Sequence, residues 1–116
     1  MAIIPAISIR EPWASMIASG EKTLEIRTWA TGHRGKIILC ASKKPCGRYA
    51  GQAFALADLV NIRPMTPDDA KKAGGFFIDG AFAWELANIR PFRPFPITGK
   101  LGIFKIDTEK RASIKA

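Results

Sequence analysis

Gln52-Ala53-Phe54-Ala55-Leu56-Ala57-Asp58-Leu59-Val60-Asn61-Ile62 alternates small Ala53, Ala55 and Ala57 with the larger Phe54 and Leu56. In an extended strand these two sets point to opposite faces. A face of alanines against a face of large residues suits the wall of a tightly curved small barrel. The neighbouring segments fit the same reading. Gly35 to Ala41 is almost continuously apolar and reads as a fully buried strand, ended by Ser42-Lys43-Lys44-Pro45. On the other side, Thr66-Pro67-Asp68-Asp69 is a helix start: a cap, a proline at the first position, then acids at the positive end of the dipole. Gly74-Gly75 is its stop.

Further out, Gly80 to Ile89 forms a strand with Phe82, Trp84 and Leu86 on one face, and Pro91, Pro94 and Pro96 keep the next stretch extended and turn-rich. Leu101 to Ile106 is a last strand. Towards the start, Ala6 to Arg10 alternates as a short strand, and a two-turn helix follows from about Pro12 to Ser19, with Gly20 as its stop. Thr23 to Arg27 alternates cleanly, which predicts Leu24 and Ile26 in the core and Thr23, Glu25 and Arg27 on an exposed face. The sum is an α+β fold, a small mixed β-barrel of about six strands with two short helices rather than a βαβ sheet. Residues 1–116 read as one domain, with 108–116 a frayed basic tail that leaves Lys110 and Arg111 in solvent.

Hydrophobic residues make up 47% of the chain, enough for a core without disulfide staples. No run is long and apolar enough to span a bilayer, and Met1 to Pro5 lacks a signal-peptide pattern, so the expected location is cytoplasmic. Cys40 and Cys46 have no zinc spacing, and the single histidine, His33, cannot complete a site with them. Neither a metal nor a cofactor is expected. The net charge of +8 is unevenly spread. Arg27 to Ala57 holds six basic residues and no acid, and Asn88 to Ile106 holds four more, while five acids lie between these segments. Such polarity favours a polyanionic partner. P-loop and dinucleotide glycine motifs, the His-Glu-x-x-His helix and the Gly-x-Ser-x-Gly elbow are all missing.

The chemistry concentrates in Gly20-Glu21-Lys22-Thr23-Leu24-Glu25-Ile26-Arg27-Thr28-Trp29. This stretch offers a cation, a carboxylate, a guanidinium fork and a flat aromatic ring within one small area. A nucleotide site needs a stacking platform, base-edge hydrogen bonds and phosphate neutralisation.

Ile7-Ser8-Ile9-Arg10-Glu11-Pro12-Trp13-Ala14-Ser15, Gly20-x-Lys22 and Glu25-x-Arg27-x-Trp29 together resemble the ASCH domain (activating-signal-cointegrator homology). His33-Arg34-Gly35, Ala41-Ser42-Lys43, Ala83-Trp84-Glu85-Leu86 and Pro94-Phe95-Pro96-x-x-Gly99-Lys100-Leu101-Gly102 extend the resemblance, in order, over most of residues 7 to 106. It implies a PUA-like barrel with a cleft beside the first helix that binds RNA. The family's cleft positions carry over as Lys22, Glu25 and Arg27, with Trp29, His33, Arg34, Ser42 and Lys43 as neighbours. Some similar proteins hydrolyse N4-acetylcytidine with a lysine, a threonine and a glutamate. Lys22 matches that lysine, but Glu25 stands where those enzymes place the threonine, and no glutamate matches the third position.

The expected partner is therefore single-stranded RNA or a nucleotide. Arg27, Arg34 and Lys43 meet phosphate, Trp29 stacks a base, and Lys22 and Glu25 read or polarise the nucleotide. One alternative is a metal-independent hydrolase acting on a modified nucleoside or on RNA, with Lys22 stabilising an oxyanion and Glu25 as general base. Another is a protein-interaction module whose basic face meets an acidic partner.

Overall fold

The computed structural model describes residues 2–109 together with Arg111 and Ile114. The other positions of the basic tail, including Lys110, lie outside the described residues. Strand β1 (Ile3–Ile9) leads into helix α1 (Trp13–Ser19), which is followed by β2 (Leu24–Arg27), β3 (Gly35–Ala41) and β4 (Gln52–Pro64). A 3₁₀ turn (Pro67–Asp69), the long β5 (Phe82–Pro96) and β6 (Ile103–Asp107) complete the order.

All six strands belong to one sheet in the order β2-β5-β4-β3-β1-β6. Only β1 and β3 pair in parallel; their neighbours are antiparallel. The register of β4 on β5 shifts three times, between Ala53 and Ala55, Leu56 and Asp58, and Leu59 and Asn61. Each such bulge bends the strand and sharpens its twist. The alanines of β4 are fully buried, but the bulges keep them off a single face: Ala55 and Ala57 pack in one cluster with Phe54, and Ala53 in another with Leu56. The sheet is barrel-like but open, because β2 and β6 remain unpaired edges.

The strand β3 is covered on both sides, as its apolar run requires. Ile37 and Leu39 join the main core with Ile7, Ile9, Ile17, Phe54, Leu59 and Trp84. Ile38 and Cys40 join a second cluster with Ile4, Ala6, Leu56, Phe104 and Ile106. Burial pushes the Cys40 thiol up to about 12, so it behaves as a small apolar group. Two tail residues also pack: Ile114 lies in the second cluster, and the Arg111 guanidinium sits 4.5 Å from the Phe95 ring centroid.

Several boundaries differ from the sequence expectation. The proline-rich stretch after Ile89 does not leave the sheet, and β5 runs through Pro91 and Pro94 to Pro96. The second helix is one 3₁₀ turn rather than an α-helix. Its Asp69 carboxylate folds back to accept from the Thr66 backbone N–H at 2.8 Å, and Arg63 grips the same carboxylate at 2.7 and 2.9 Å. One irregular turn follows, in which the Ala73 N–H donates to the Asp69 and Ala70 carbonyls, and Gly74 and Gly75, both at φ above 100°, then turn the chain away.

Candidate functional site

Gly20, at φ 87°, ends α1 in the left-handed conformation that glycine adopts without cost. The chain then doubles back, with the Lys22 N–H donating to the Met16 carbonyl at 3.0 Å, and enters β2 alongside β5. Glu25 lies opposite Trp84 and Arg27 opposite Phe82, so the polar side of β2 shares the inward face of β5. The exposed face expected for Glu25 is in fact covered. Lys22 and Glu25 retain only 4% and 5% of their surface. Leu24 and Ile26, on the other side, pack with Met65, Ala73, Ala81 and Ala83 as expected of core residues.

Glu25 binds two cations at once. Its Oε1 accepts from Lys22 Nζ at 2.9 Å, and its Oε2 lies 3.0 Å from Arg27 Nη2. The Arg27 guanidinium also donates to the Ser8 carbonyl, which ties β2 to β1. Burying three charges costs desolvation that ion pairing only partly offsets, so such a cluster is weak evidence of a stability role. Lys22 Nζ also stands 5.5 Å from the Trp13 ring centroid. Among the described residues, Arg27 Nε and Ser8 Oγ are buried without a hydrogen-bond partner.

Two cavities meet over this cluster, and Arg10 and Arg27 line both. The smaller, about 200 Å³, lies between Trp13, Phe76 and Ile78, with Lys22 and Glu25 among its lining. The larger, about 1190 Å³, is lined among the described residues by the cations Arg10, Arg27, Lys43, Lys100 and Arg111 and by no acid. Two loops build its rim. Residues 42–51 are pinned by the buried Glu11, whose carboxylate accepts from the backbone N–H groups of Ser15 and Tyr49, each at 2.8 Å. Gly47 passes so close that a Cβ there would fall 2.5 Å from Glu11 Cγ. Residues 97–102 cross over β1 at Gly99, where a Cβ would meet Ser8 Oγ at 2.3 Å, and so bring Lys100 to the cavity.

The structure thus brings together Lys22, Glu25 and Arg27, with Ser42 and Lys43 on the adjoining wall. Three other candidates line neither cavity. Trp29 packs edge-on against Trp84, ring centroids 4.9 Å apart, and its carbonyl accepts from Trp84 Nε1 at 3.2 Å. His33 Nε2 lies 2.8 Å from the Lys36 carbonyl, and the Arg34 guanidinium donates to the Thr31 and His33 carbonyls at 2.8 Å. Glu85, on the opposite side of β5, pairs with Arg63 at 2.8 Å. Sequence reasoning passed over Arg10, Glu11 and Ser8, which lie within the stretch quoted for the family resemblance. It also passed over Phe76 and Ile78, whose signal is an apolar triplet between glycines in a polar segment. No three His, Cys, Asp or Glu side chains converge among the described residues.

The family model for the ASCH domain matches residues 7–96. This chain belongs to the ASCH family. The matched span holds the Lys22–Glu25–Arg27 cluster and the 42–51 loop, whereas Lys100 and Arg111 lie beyond it. Human activating signal cointegrator 1 is 45% identical to this ASCH domain over 65 residues, and the mouse protein 42%. That alignment covers 54% of the present chain and only 11% of either relative. The crystal structure of ASCH from Zymomonas mobilis superposes with a TM-score of 0.68, covering 94% of this chain and 91% of that one at 18% identity. A single-substitution variant of the same protein gives 0.66 at 18% identity, covering 90% and 91%. At this identity the likeness establishes the shared fold.

Proposed function

We propose that this ASCH domain binds RNA, with the sugar–phosphate chain in the larger cavity and a nucleotide presented to the Lys22–Glu25–Arg27 cluster. The observation that carries this reading is the lining itself: among the described residues, five cations and no acid around about 1190 Å³. Ordinary small-molecule sites occupy about 300–1,000 Å³. A cavity above that range, open and uniformly positive, fits a segment of polyanion better than one small metabolite. Lys43 and Lys100, on mobile four-carbon stems, meet phosphates as point charges, while Arg10 and Arg27 offer forked donors. Ser42 supplies a hydroxyl beside them. The test is a titration with labelled single-stranded RNA at several salt concentrations. Affinity that falls steeply as salt rises supports the proposal; a flat response, or no binding in dilute buffer, overturns it.

A second reading, hydrolysis of a modified nucleoside, draws on one feature, the burial of Lys22 beside a cavity of about 200 Å³. Preorganised charge in such a place stabilises developing oxyanions. Glu25, however, already accepts from Lys22 through Oε1 and is ion-paired with Arg27 through Oε2, and taking up a substrate proton would cost it these pairings. Incubation with N4-acetylcytidine and with RNA, followed by chromatography, separates the readings. Turnover lost in Lys22→Ala supports the hydrolase; intact RNA binding without turnover leaves the domain a binder.

A further inference from the structure

With Trp29 packed against Trp84, the stacking surface for a base has to be sought elsewhere. We propose that the smaller cavity is a slot for one nucleobase, held against Phe76, Ile78 and Trp13, while the phosphates of the same strand lie in the larger cavity. This rests on the RNA reading above and assigns the two cavities different parts of the ligand.

Size is the first argument. At about 200 Å³ the slot falls below the about 300–1,000 Å³ of whole-ligand sites, so it takes a ring system and not a complete nucleotide. Its walls are the second. Phe76, Phe77 and Ile78 are 50%, 38% and 39% exposed, a contiguous apolar run of the kind that marks a binding surface. These residues are held in place at their root. Gly74, at φ 109°, lies so near the Trp13 indole that a Cβ would stand 2.8 Å from Nε1. Trp13 and Phe76 then meet at 76° with centroids 5.9 Å apart, forming an aromatic corner.

Polar chemistry is the third argument. Lys22 Nζ has three N–H donors and spends one on Glu25, while the Glu25 carboxylate keeps acceptor capacity beyond its two cations. The slot therefore offers donors and acceptors side by side. A base edge carries both, whereas phosphate carries acceptors alone and is repelled by the carboxylate. The larger cavity has the reverse character, with cations and, among the described residues, no acid. Arg10 and Arg27, lining both, stand between base and phosphate.

The test compares a single-stranded RNA with an abasic strand of equal length, each titrated with the unaltered protein, Phe76→Ala, Phe76→Tyr and Lys43→Ala. Loss of a base–aromatic contact corresponds to a roughly five- to 150-fold drop in affinity. Phe76→Ala is expected to weaken RNA binding within that range, with its salt slope and its affinity for the abasic strand unchanged. Phe76→Tyr, which keeps the ring, should bind as the unaltered protein does. Lys43→Ala should weaken both strands and flatten the salt slope. The slot is refuted if Phe76→Ala binds RNA normally, or weakens both strands alike. If the unaltered protein binds both strands equally, phosphate recognition stands and the slot fails. If it binds neither, the RNA reading itself falls.

Discussion

Glu25 holds two cations on one carboxylate in a place where water hardly reaches. Removing it strands the Lys22 charge, a change that costs about 3–5 kcal/mol when a buried pair is broken from one side. Denaturant melts should therefore find Glu25→Ala strongly destabilised, and the double variant Glu25→Gln with Lys22→Met less so than the single changes summed. That double variant should fold and yet lose RNA affinity, which separates the cluster's recognition role from its structural cost. Trp29 presents the opposite case. Half-buried on Trp84, it should lose on the order of 2 kcal/mol of stability as Trp29→Ala, below the range for fully buried aromatics, with RNA affinity unchanged in the folded fraction. The alternation of Leu24 and Ile26 against Glu25 and Arg27 was legible in the sequence, as were the three charged residues that cluster. Their exposure was not, because nothing local to residues 22–27 records that α1 and residues 74–80 cover the polar side.

Near the Pro64 end of β4, an ion-pair network joins β4, β5 and the 3₁₀ turn. The Arg63 guanidinium beside Asp69, helped by the Thr66 backbone N–H, holds the Asp69 carboxyl well below the usual carboxylate range. Asp69 therefore contributes stability that is fully present above the ordinary Asp value of about 4, and that drains away as pH falls below it. In Asp69→Asn that contribution is missing at every pH. The gap in melting temperature between the two proteins should be full near about pH 6 and narrow as acid is added; a constant gap would show that the carboxylate charge is irrelevant. The start signal at Thr66-Pro67-Asp68-Asp69 was correctly visible in the sequence. The Gly74-Gly75 stop was visible too; what was not is the hold of Arg63 on Asp69, because Arg63 is fixed by Glu85 only once β4 and β5 have paired. The length of β5 was hidden for a related reason: Pro91, Pro94 and Pro96 resemble loop residues until β4 gives them a ladder to follow.

Across the whole molecule, the two basic segments divided by an acidic one were evident from composition, and the fold does gather part of that charge. Arg27 and Lys43 come from the first segment, Lys100 from the second, and Arg10 joins them around one cavity. If each of the five lining cations meets a phosphate, the slope of log affinity on log salt for a single strand is about −3.5. Affinity then falls roughly a hundredfold over a fourfold rise in salt. Arg27→Ala should make that slope shallower by nearly one phosphate's share, measured by anisotropy across a salt series. The strand order could not be read from the sequence in the same way. Parallel pairing of β1 with β3, and the return of β6 to the far side of β1, join residues too distant in the chain for any local pattern to announce.

That return of β6 lays Thr108 beside Ala2, whose carbonyl accepts from both the Thr108 backbone N–H at 2.8 Å and its hydroxyl at 3.0 Å. The chain therefore enters β1 beside the point where it leaves β6, and Arg111 and Ile114 beyond β6 pack back on the same unit. A unit of this kind can be spliced into a surface turn of a host protein with short joints, because the host's two attachment points need scarcely separate. The rim that carries Lys100 lies just before β6, so the graft would carry its cationic cavity with it and gain the host as a handle.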